Sequence, residues 1–456
     1  MYWEQKVEYA ALSDIGMRRR NNQDSYVVQI ASDRGQWEDR GHLFLVADGM
    51  GGHAVGELAS KIAADTIPHT YHKSAAPTVE EALHSAIVAG NAAINNRGQQ
   101  NRDFARMGTT CTTLVLSSRG AFLGHVGDSR GYRVRGQRIE QLTFDHSLQW
   151  ELLKQGRMSP EEIFSREPRN VITRSLGPEP VVQVDIEGPH PVRPHDVYIL
   201  CSDGLTGLVV DEEIGTIARE FPPADACQLL VDLANLRGGA DNITVVIARV
   251  GSAPSGVPTD SSPPDHHETD GVLGWGWLIA VFLIGIMFIF GNVLIGIERP
   301  FTGILLEGLS VLAFGGLILT WLRIRRLSLE KASLPAIVPG NPYRTASARV
   351  TTKFVNDLAT LEYRLQRSAM EEGWNIDWPE HNRWFHAAKT ALTERRDSDA
   401  LREFARAIHV LMEGIHAQRR QRDLTNRWGV TKPAPPRTSP PRTDPPSPQP
   451  QADDRV

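Results

Sequence analysis

His42-Leu43-Phe44-Leu45-Val46-Ala47-Asp48-Gly49-Met50-Gly51-Gly52 decides the fold, because an apolar run stops abruptly on an acid followed by a cluster of glycines. A short uncharged run bounded by turn formers reads as a buried strand. The arrangement recurs: Asp203 follows Tyr198-Ile199-Leu200-Cys201-Ser202, Asp241 precedes Asn242-Ile243-Thr244-Val245-Val246, and Asp128 follows His125-Val126-Gly127. Strands are expected at 42–47, 111–117, 121–126, 197–202 and 243–250. Between them, 56–71 and 78–100 carry alanines and aliphatic residues at helical spacing, with Pro68 near the end of the first. Residues 1–250 therefore read as one mixed α and β domain.

Strand ends are rigid, so they can aim short carboxylates at a shared point. Convergent carboxylates repel unless a cation lies between them, and hard divalent ions prefer oxygen ligands. Asp48, Asp128, Asp203 and Asp241 therefore imply a metal site. Gly49 lets the backbone approach an ion and offers its carbonyl. A single Asp-Gly is more often just a turn; the set carries the inference. The formal net charge of -5 argues against a nucleic-acid binder, which works by neutralising phosphates. None of the three cysteines forms a C-x-x-C pair, so they read as reduced structural thiols in a cytosolic domain. Residues 1–10 contain no apolar secretory core.

Seven motifs occur in a fixed order: Arg19-x-Asn21-Asn22-Gln23-Asp24, Ala47-Asp48-Gly49-Met50-Gly51-Gly52-His53, Gly127-Asp128-Ser129-Arg130, Thr143-x-Asp145-His146-Ser147, Asn170-x-x-Thr173-Arg174-x-Leu176-Gly177, Ser202-Asp203-Gly204-Leu205 and Asp241-Asn242-Ile243-Thr244. Over residues 7–250 the chain resembles the metal-dependent protein phosphatases, the bacterial type 2C serine/threonine phosphatases. That resemblance implies an α+β fold, two antiparallel β-sheets in a sandwich flanked by helices, with two Mn²⁺ or Mg²⁺ ions at one end. By position, Asp48 would bridge both ions, the Gly49 carbonyl would bind one, and Asp203 with Asp241 the other. Asp24 would act through water in the second shell, and Asp128 with Asp203 would form a weaker third metal site. Arg19 would grip the substrate phosphoryl group. The implied reaction is hydrolysis of phosphoserine and phosphothreonine by a water or hydroxide lying between the two ions, without a covalent intermediate. A cysteine mechanism needs arginine six positions after the thiol, where this chain has Ser117, Gly207 and Leu233.

Two positions depart from the family. Gln23 stands where many relatives carry Glu, and Met50 where animal members carry a His proposed as general acid; His53 and His146 read as structural rather than as substitutes. Residues 148–169, polar and helical, occupy the place of the variable flap and are expected to help select substrates.

Beyond 250 the composition changes. Residues 251–270 are a Ser, Pro and Asp-rich linker. Two apolar runs, 273–297 and 301–322, are each long enough to cross about 30 Å of hydrocarbon, and the short Glu298-Arg299-Pro300 connection makes 271–322 a transmembrane helical hairpin. Arg323, Arg325 and Arg326 against the lone Arg299 put both flanks in the cytoplasm, giving a multi-pass protein of the cell membrane in contact with lipid. Asn292 and Glu307 are each within about 10 Å of the turn, at about 1.5 Å per residue; either they meet, or Glu307 snorkels. After a basic juxtamembrane linker at 323–346, apolar stripes at Phe354, Leu358, Leu361 and Leu365, and at Leu401, Phe404, Ile408, Leu411 and Ile415, predict a small helical cytoplasmic domain at 347–424. Trp374, Trp378, Trp384 and Phe385 would fill it. Residues 425–456 read as a proline-rich disordered tail.

The expected partners are phosphorylated proteins, the substrates of a serine/threonine kinase at the same membrane. The alternative is a catalytically weak, membrane-anchored scaffold that binds phosphoproteins; the intact Asp48, Asp203 and Asp241 argue against it. A sensor role for the hairpin is disfavoured by its three-residue turn.

Overall fold

The computed structural model describes residues 6–51, 54–104, 106–155, 171–251, 270–331 and 342–428. Its strands are β1 (Val7–Asp14), β2 (Asp24–Gln29), β3 (His42–Met50), β4 (Gly108–Thr109), β5 (Cys111–Ser117), β6 (Gly120–Val126), β7 (Arg130–Arg135), β8 (Arg138–Gln141), β9 (Asp185–His190), β10 (Val197–Cys201), β11 (Ile243–Val250) and β12 (Arg344–Ser347). They form two antiparallel sheets, one ordered β1-β11-β10-β7-β8-β12 and the other β2-β3-β5-β6-β9, with β4 on the end of β3.

Successive strand residues face opposite sides of a sheet, which explains why these strands are apolar without a break. Phe44, Val46, Leu114, Leu116, Tyr198, Leu200 and Val246 fill the space between the sheets. Their neighbours in sequence turn outward under helices. Leu43, Leu45 and Val115 pack beneath α2 (Ala54–Lys73) and α3 (Val79–Gln100), while α1 (Arg34–Asp39) seats Trp37 at the sandwich edge. The other sheet turns Ile199, Cys201, Val245 and Ile247 toward α6 (Asp211–Glu220) and α7 (Pro223–Leu236). Two shorter helices, α4 (Leu148–Lys154) and α5 (Asp203–Thr206), follow β8 and β10. The expected sandwich flanked by helices is the fold found. Cys111, Cys201 and Cys227 are free and buried, and burial pushes each thiol up to about 12.

The C-terminal part differs from the expectation of a linker at 323–346 and a helical unit with its own core. Helix α8 (Asp270–Gly296) packs along α9 (Pro300–Lys331), and α9 runs on past the arginines at 323–326. The chain then returns as β12, whose residues 344–347 pair with β8 and close that sheet's edge. Three helices follow, α10 (Thr352–Glu372), α11 (Trp378–Thr393) and α12 (Asp397–Trp428). Their apolar faces join the core above the first sheet: Phe354, Val355, Leu358, Leu401, Phe404 and Ile408 belong to one cluster with Ile139, Val197 and Ile214. Arg402 pairs with Glu220, His409 with Asp232, and Arg219 donates to the Ala348 carbonyl. An amphipathic stripe says that a face is buried, not what buries it. Trp374, Trp378 and Phe385 do pack against this core, while Trp384 lies under Arg383 and Arg406.

In the hairpin, the Asn292 amide donates to the Phe288 carbonyl of its own helix rather than to Glu307. Glu307 instead lies against Gly291, where the absent side chain lets the helices approach. Among the described residues, Pro300–Leu319 is long and apolar enough to cross a membrane, and Phe282–Gly296 is a shorter apolar stretch. Residues 252–269 of the expected linker, most of the flap at 148–169, His53, and the tail beyond 428 lie outside the described residues, while 425–428, expected to open the tail, still belong to α12.

Candidate active site

The antiparallel register sets Asp24, the first residue of β2, directly opposite Asp48 near the end of β3. Asp48 is locked through its backbone: its amide donates to Thr110 Oγ1 at 2.8 Å, and its carbonyl accepts from Thr109 Oγ1 and the Thr110 amide, each at 2.9 Å. Gly49 follows because a Cβ there would sit 2.1 Å from the Gly56 carbonyl oxygen and 2.5 Å from that of Gln23. Asp203 opens α5 straight after β10, and Asp241 precedes β11. Asp128 follows β6 and is buried.

Asp24 ties the two sheets together. Its Oδ2 accepts from Ser202 Oγ at 2.9 Å and Thr244 Oγ1 at 2.6 Å, while its Oδ1 is buried and, among the described residues, has no hydrogen-bond partner. Both residues fall within motifs read in the sequence, but their bonds to Asp24 were not legible there, since they reach it from the end of β10 and from β11, in the opposite sheet. Burial pushes the Asp24 carboxyl up to about 7, with repulsion from Asp203 and Asp241 adding to it and the two hydroxyls opposing. Asp203 is pushed up to about 6 by burial and by Asp241. Asp48 and Asp128 rise well above the usual carboxylate range, through burial first and then neighbouring aspartates. The β2–β3 register and the bonds of Asp24 to Ser202 and Thr244 bring Asp24, Asp48 and Asp203 together, with Asp128 and Asp241 close enough to repel them.

Asp241 is ion-paired with Arg19 at 2.7 Å, both partly exposed. Arg19 thus lies at the site, held by a carboxylate. His146 is buried and structural: its Nδ1 accepts from the Gly127 amide and its Nε2 lies 2.9 Å from Asp185. Arg130 forms a buried pair with Asp145 at 2.7 Å and bonds Tyr132, which donates to Asp211. Arg344 of β12 also reaches Asp211 at 3.4 Å, so the C-terminal part joins the network behind Asp128. Met50 offers no proton to a leaving group.

Among the described residues, no three acidic, imidazole or thiol side chains are drawn tightly enough together to hold an ion as they stand. Asp24 and Asp241 are turned toward Ser202, Thr244 and Arg19. The donor chemistry nevertheless fits hard divalent cations: the set is all oxygen, Asp24 and Asp128 are buried, and among the described residues Asp24 Oδ1 and Asp128 Oδ1 have no hydrogen-bond partner. A buried carboxylate needs a cation or a proton.

The family profile described as Protein phosphatase 2C matches residues 11–151. Protein phosphatase PhpP of Streptococcus pneumoniae serotype 2 is 37% identical over 245 residues, 53% of this chain and 96% of that protein. Serine/threonine protein phosphatase PstP of Mycobacterium tuberculosis is 36% identical over 247 residues, 54% of this chain; the match spans 45% of that relative, less than half its length. A crystal structure of the PstP catalytic domain in complex with two manganese ions is 35% identical, is covered over 99% of its chain and 54% of this one, and has a TM-score of 0.47.

Proposed function

The chain belongs to the protein phosphatase 2C family, and on that premise we propose that it hydrolyses phosphoserine and phosphothreonine in other proteins, using two Mn²⁺ or Mg²⁺ ions. The observation that carries this reading is the convergence of strand-end aspartates: the β2–β3 register sets Asp24 opposite Asp48, Ser202 and Thr244 bond Asp24 beside Asp203, and the buried Asp128 and partly exposed Asp241 are close enough to repel them. Asp48, the Gly49 carbonyl, Asp203 and Asp241 would hold the pair of ions, and Asp128 with Asp203 a weaker third. Such ions, when bound, lower the pKa of water and neutralise charge on the phosphoryl group.

The chain's own residues do the positioning. Thr109 and Thr110 fix the backbone of Asp48. Ser202 and Thr244 hold one oxygen of Asp24 and leave Oδ1 as a free acceptor in the wall of the site. Arg19, half exposed, exchanges Asp241 for phosphoryl oxygens, which suit a guanidinium fork.

The reading extends to the membrane. Helices α8 and α9 cross the bilayer as a hairpin, leaving residues 1–250 and the part from 323 onward in the cytoplasm. The packing supports an even number of crossings. Because β12 pairs with β8 and α10 to α12 share a core with β10, the chain must return to the side it left. Either both helices cross or neither does. The exposed Phe282, Phe290, Ile304, Leu305, Leu312 and Leu319 favour crossing, since a soluble chain rarely leaves so large an apolar surface uncovered. The substrates would then be phosphoproteins made by a serine/threonine kinase at the same membrane.

The test is phosphate release from a phosphothreonine peptide by the full chain in detergent, with Mn²⁺ or with chelator, beside Asp203→Ala. Turnover that requires both Mn²⁺ and Asp203 is expected. A folded, Mn²⁺-loaded chain that releases nothing would replace this reading with that of a phosphoprotein-binding scaffold.

A further inference from the structure

The loop between β1 and β2 carries Arg19 and delivers Asp24, and it is held from two sides. On the inner side, the Met17 and Arg18 amides donate to the Gly239 carbonyl at 2.8 and 3.1 Å. The Asn242 side chain donates to the Ile15 and Asn21 carbonyls and accepts from the Gln23 amide. Gly16 has a left-handed backbone, φ +77°, and a Cβ there would lie 2.0 Å from the Asp241 carbonyl oxygen. The loop and the Asp241 segment are therefore in backbone contact, and Arg19 bonds Asp241 across it.

The outer side is held by the far C-terminal part of the chain. Arg419, on α12, donates through one guanidinium nitrogen to the Gly16 carbonyl and lies 3.5 Å from Met17 Sδ. The helix behind it is anchored: Leu401, Phe404, Ile408, Leu411 and Met412 are buried, and His409 reaches Asp232 on α7 at 3.3 Å. Gly414 keeps the helix close to Ile376, whose Cδ1 would lie 2.0 Å from a Cβ at 414. Helix α12 is thus a strut, seated in the core at one end and gripping the loop of Arg19 at the other.

We propose that Arg419 is a positioning residue for Arg19, so that the part of the chain beyond the hairpin sets the affinity of the site for the substrate phosphoryl group. This rests on the phosphatase reading. Placement of a binding arginine by a distant helix affects substrate capture more than the chemical step, because Arg19 must sit correctly to be recruited at all.

The experiment uses the full chain in detergent with Mn²⁺ and a phosphothreonine peptide. Arg419→Ala is expected to raise KM about three- to tenfold with kcat within about twofold, and Arg419→Lys, which keeps one donor, to recover part of the loss. In an Arg19→Ala background, Arg419→Ala is expected to change KM by less than about twofold, since the group it positions is gone. Amide hydrogen exchange over residues 15–23 is measured alongside and is expected to quicken in Arg419→Ala. Equal KM losses in both backgrounds mean a general structural role and overturn the proposal, as does unchanged exchange in the loop. A wild-type chain that releases no phosphate removes the phosphatase reading and the KM claim with it, while the exchange still decides whether α12 holds the loop.

Discussion

Replacing Gly215 by alanine sets two effects of opposite sign against each other, and their magnitudes decide the outcome. Gly215 lies in the middle of α6 and is buried; in an open helix the exchange would stabilise by about 1 kcal/mol through propensity alone. Here a Cβ at 215 would lie 2.8 Å from Ile139 Cβ and 2.9 Å from Ala348 Cβ. Both neighbours are β-carbons fixed to backbone, so neither can rotate away. Overpacking of this kind costs about 1–3 kcal/mol, leaving a net loss of up to about 2 kcal/mol and a fall in melting temperature of a few degrees, at roughly 2–4 °C per kcal/mol. Thermal unfolding of the full chain in detergent reads the sign. A Gly215→Ala chain that melts above wild type refutes the close seating of α6. Ala348 supplies the second half of the test, because it belongs to the segment that returns after the hairpin. Ala348→Gly removes one of the two colliding methyls, so it should be destabilising alone and partly restorative beside Gly215→Ala. A coupling of about 1 kcal/mol is expected; additivity within about 0.5 kcal/mol would mean that residue 348 does not rest on α6 in solution.

Gly16→Ala should cost more than about 1 kcal/mol and reduce Mn²⁺-dependent turnover at least tenfold, because its left-handed backbone disfavours a side chain and the new methyl collides with the Asp241 carbonyl; steady-state kinetics on folded variant check it. Phe404→Ala should destabilise by about 3–5 kcal/mol and shift a single unfolding transition, since Phe404 is buried in the core shared with the first sheet; two separated transitions by calorimetry would count against that shared core. His409 is held above its ordinary value of 6.5 by the hydrogen bond to Asp232 despite burial, and Asp232 is raised above 3.8 by burial against the pull of His409. Both groups bind protons more tightly folded than unfolded, so their contribution is full at acid pH and is lost as pH rises through the folded value of each. His409 also faces Glu413 at 3.8 Å, and it is partly exposed, so the effect is modest: the melting difference between wild type and His409→Gln should be larger at pH 6 than at pH 8, and a difference independent of pH would contradict the pairing.

The strand-end aspartates were legible because each is a local signal, an acid at the limit of an apolar run, and because Asp48, Asp203 and Asp241 fall in ordered motifs. Helices α2 and α3 and most central strands were legible for the same reason: their apolar patterns are long. The hydroxyls of Ser202 and Thr244 were not, since what joins them to Asp24 is the stacking of one sheet on the other, and no spacing in the chain encodes that. β12 has no signature in the sequence, because four residues, half exposed and with one arginine among them, carry no strand pattern until β8 is there to pair with. The stripe at Phe354, Leu358 and Leu365 correctly predicted a helix with one buried face, yet the same stripe suits a self-contained bundle and a helix laid on a neighbouring domain. Arg419 stands beside Arg420 in the sequence, and only the tertiary structure puts the first of them on the Gly16 carbonyl.

The order of elements makes the hairpin an insertion between a sheet and that sheet's own edge strand, and this bears on how substrates would be met. On the proposed crossing, the chain that returns from α9 leads into β12, hence into the edge of the sandwich itself rather than into a free-standing appendage. A site held to the membrane in that way would meet phosphoproteins of the same membrane at a raised effective concentration without any added contact. Because α12 belongs to the same returning segment, the element that would tie the sandwich to the bilayer is continuous with the one that holds the loop of Arg19.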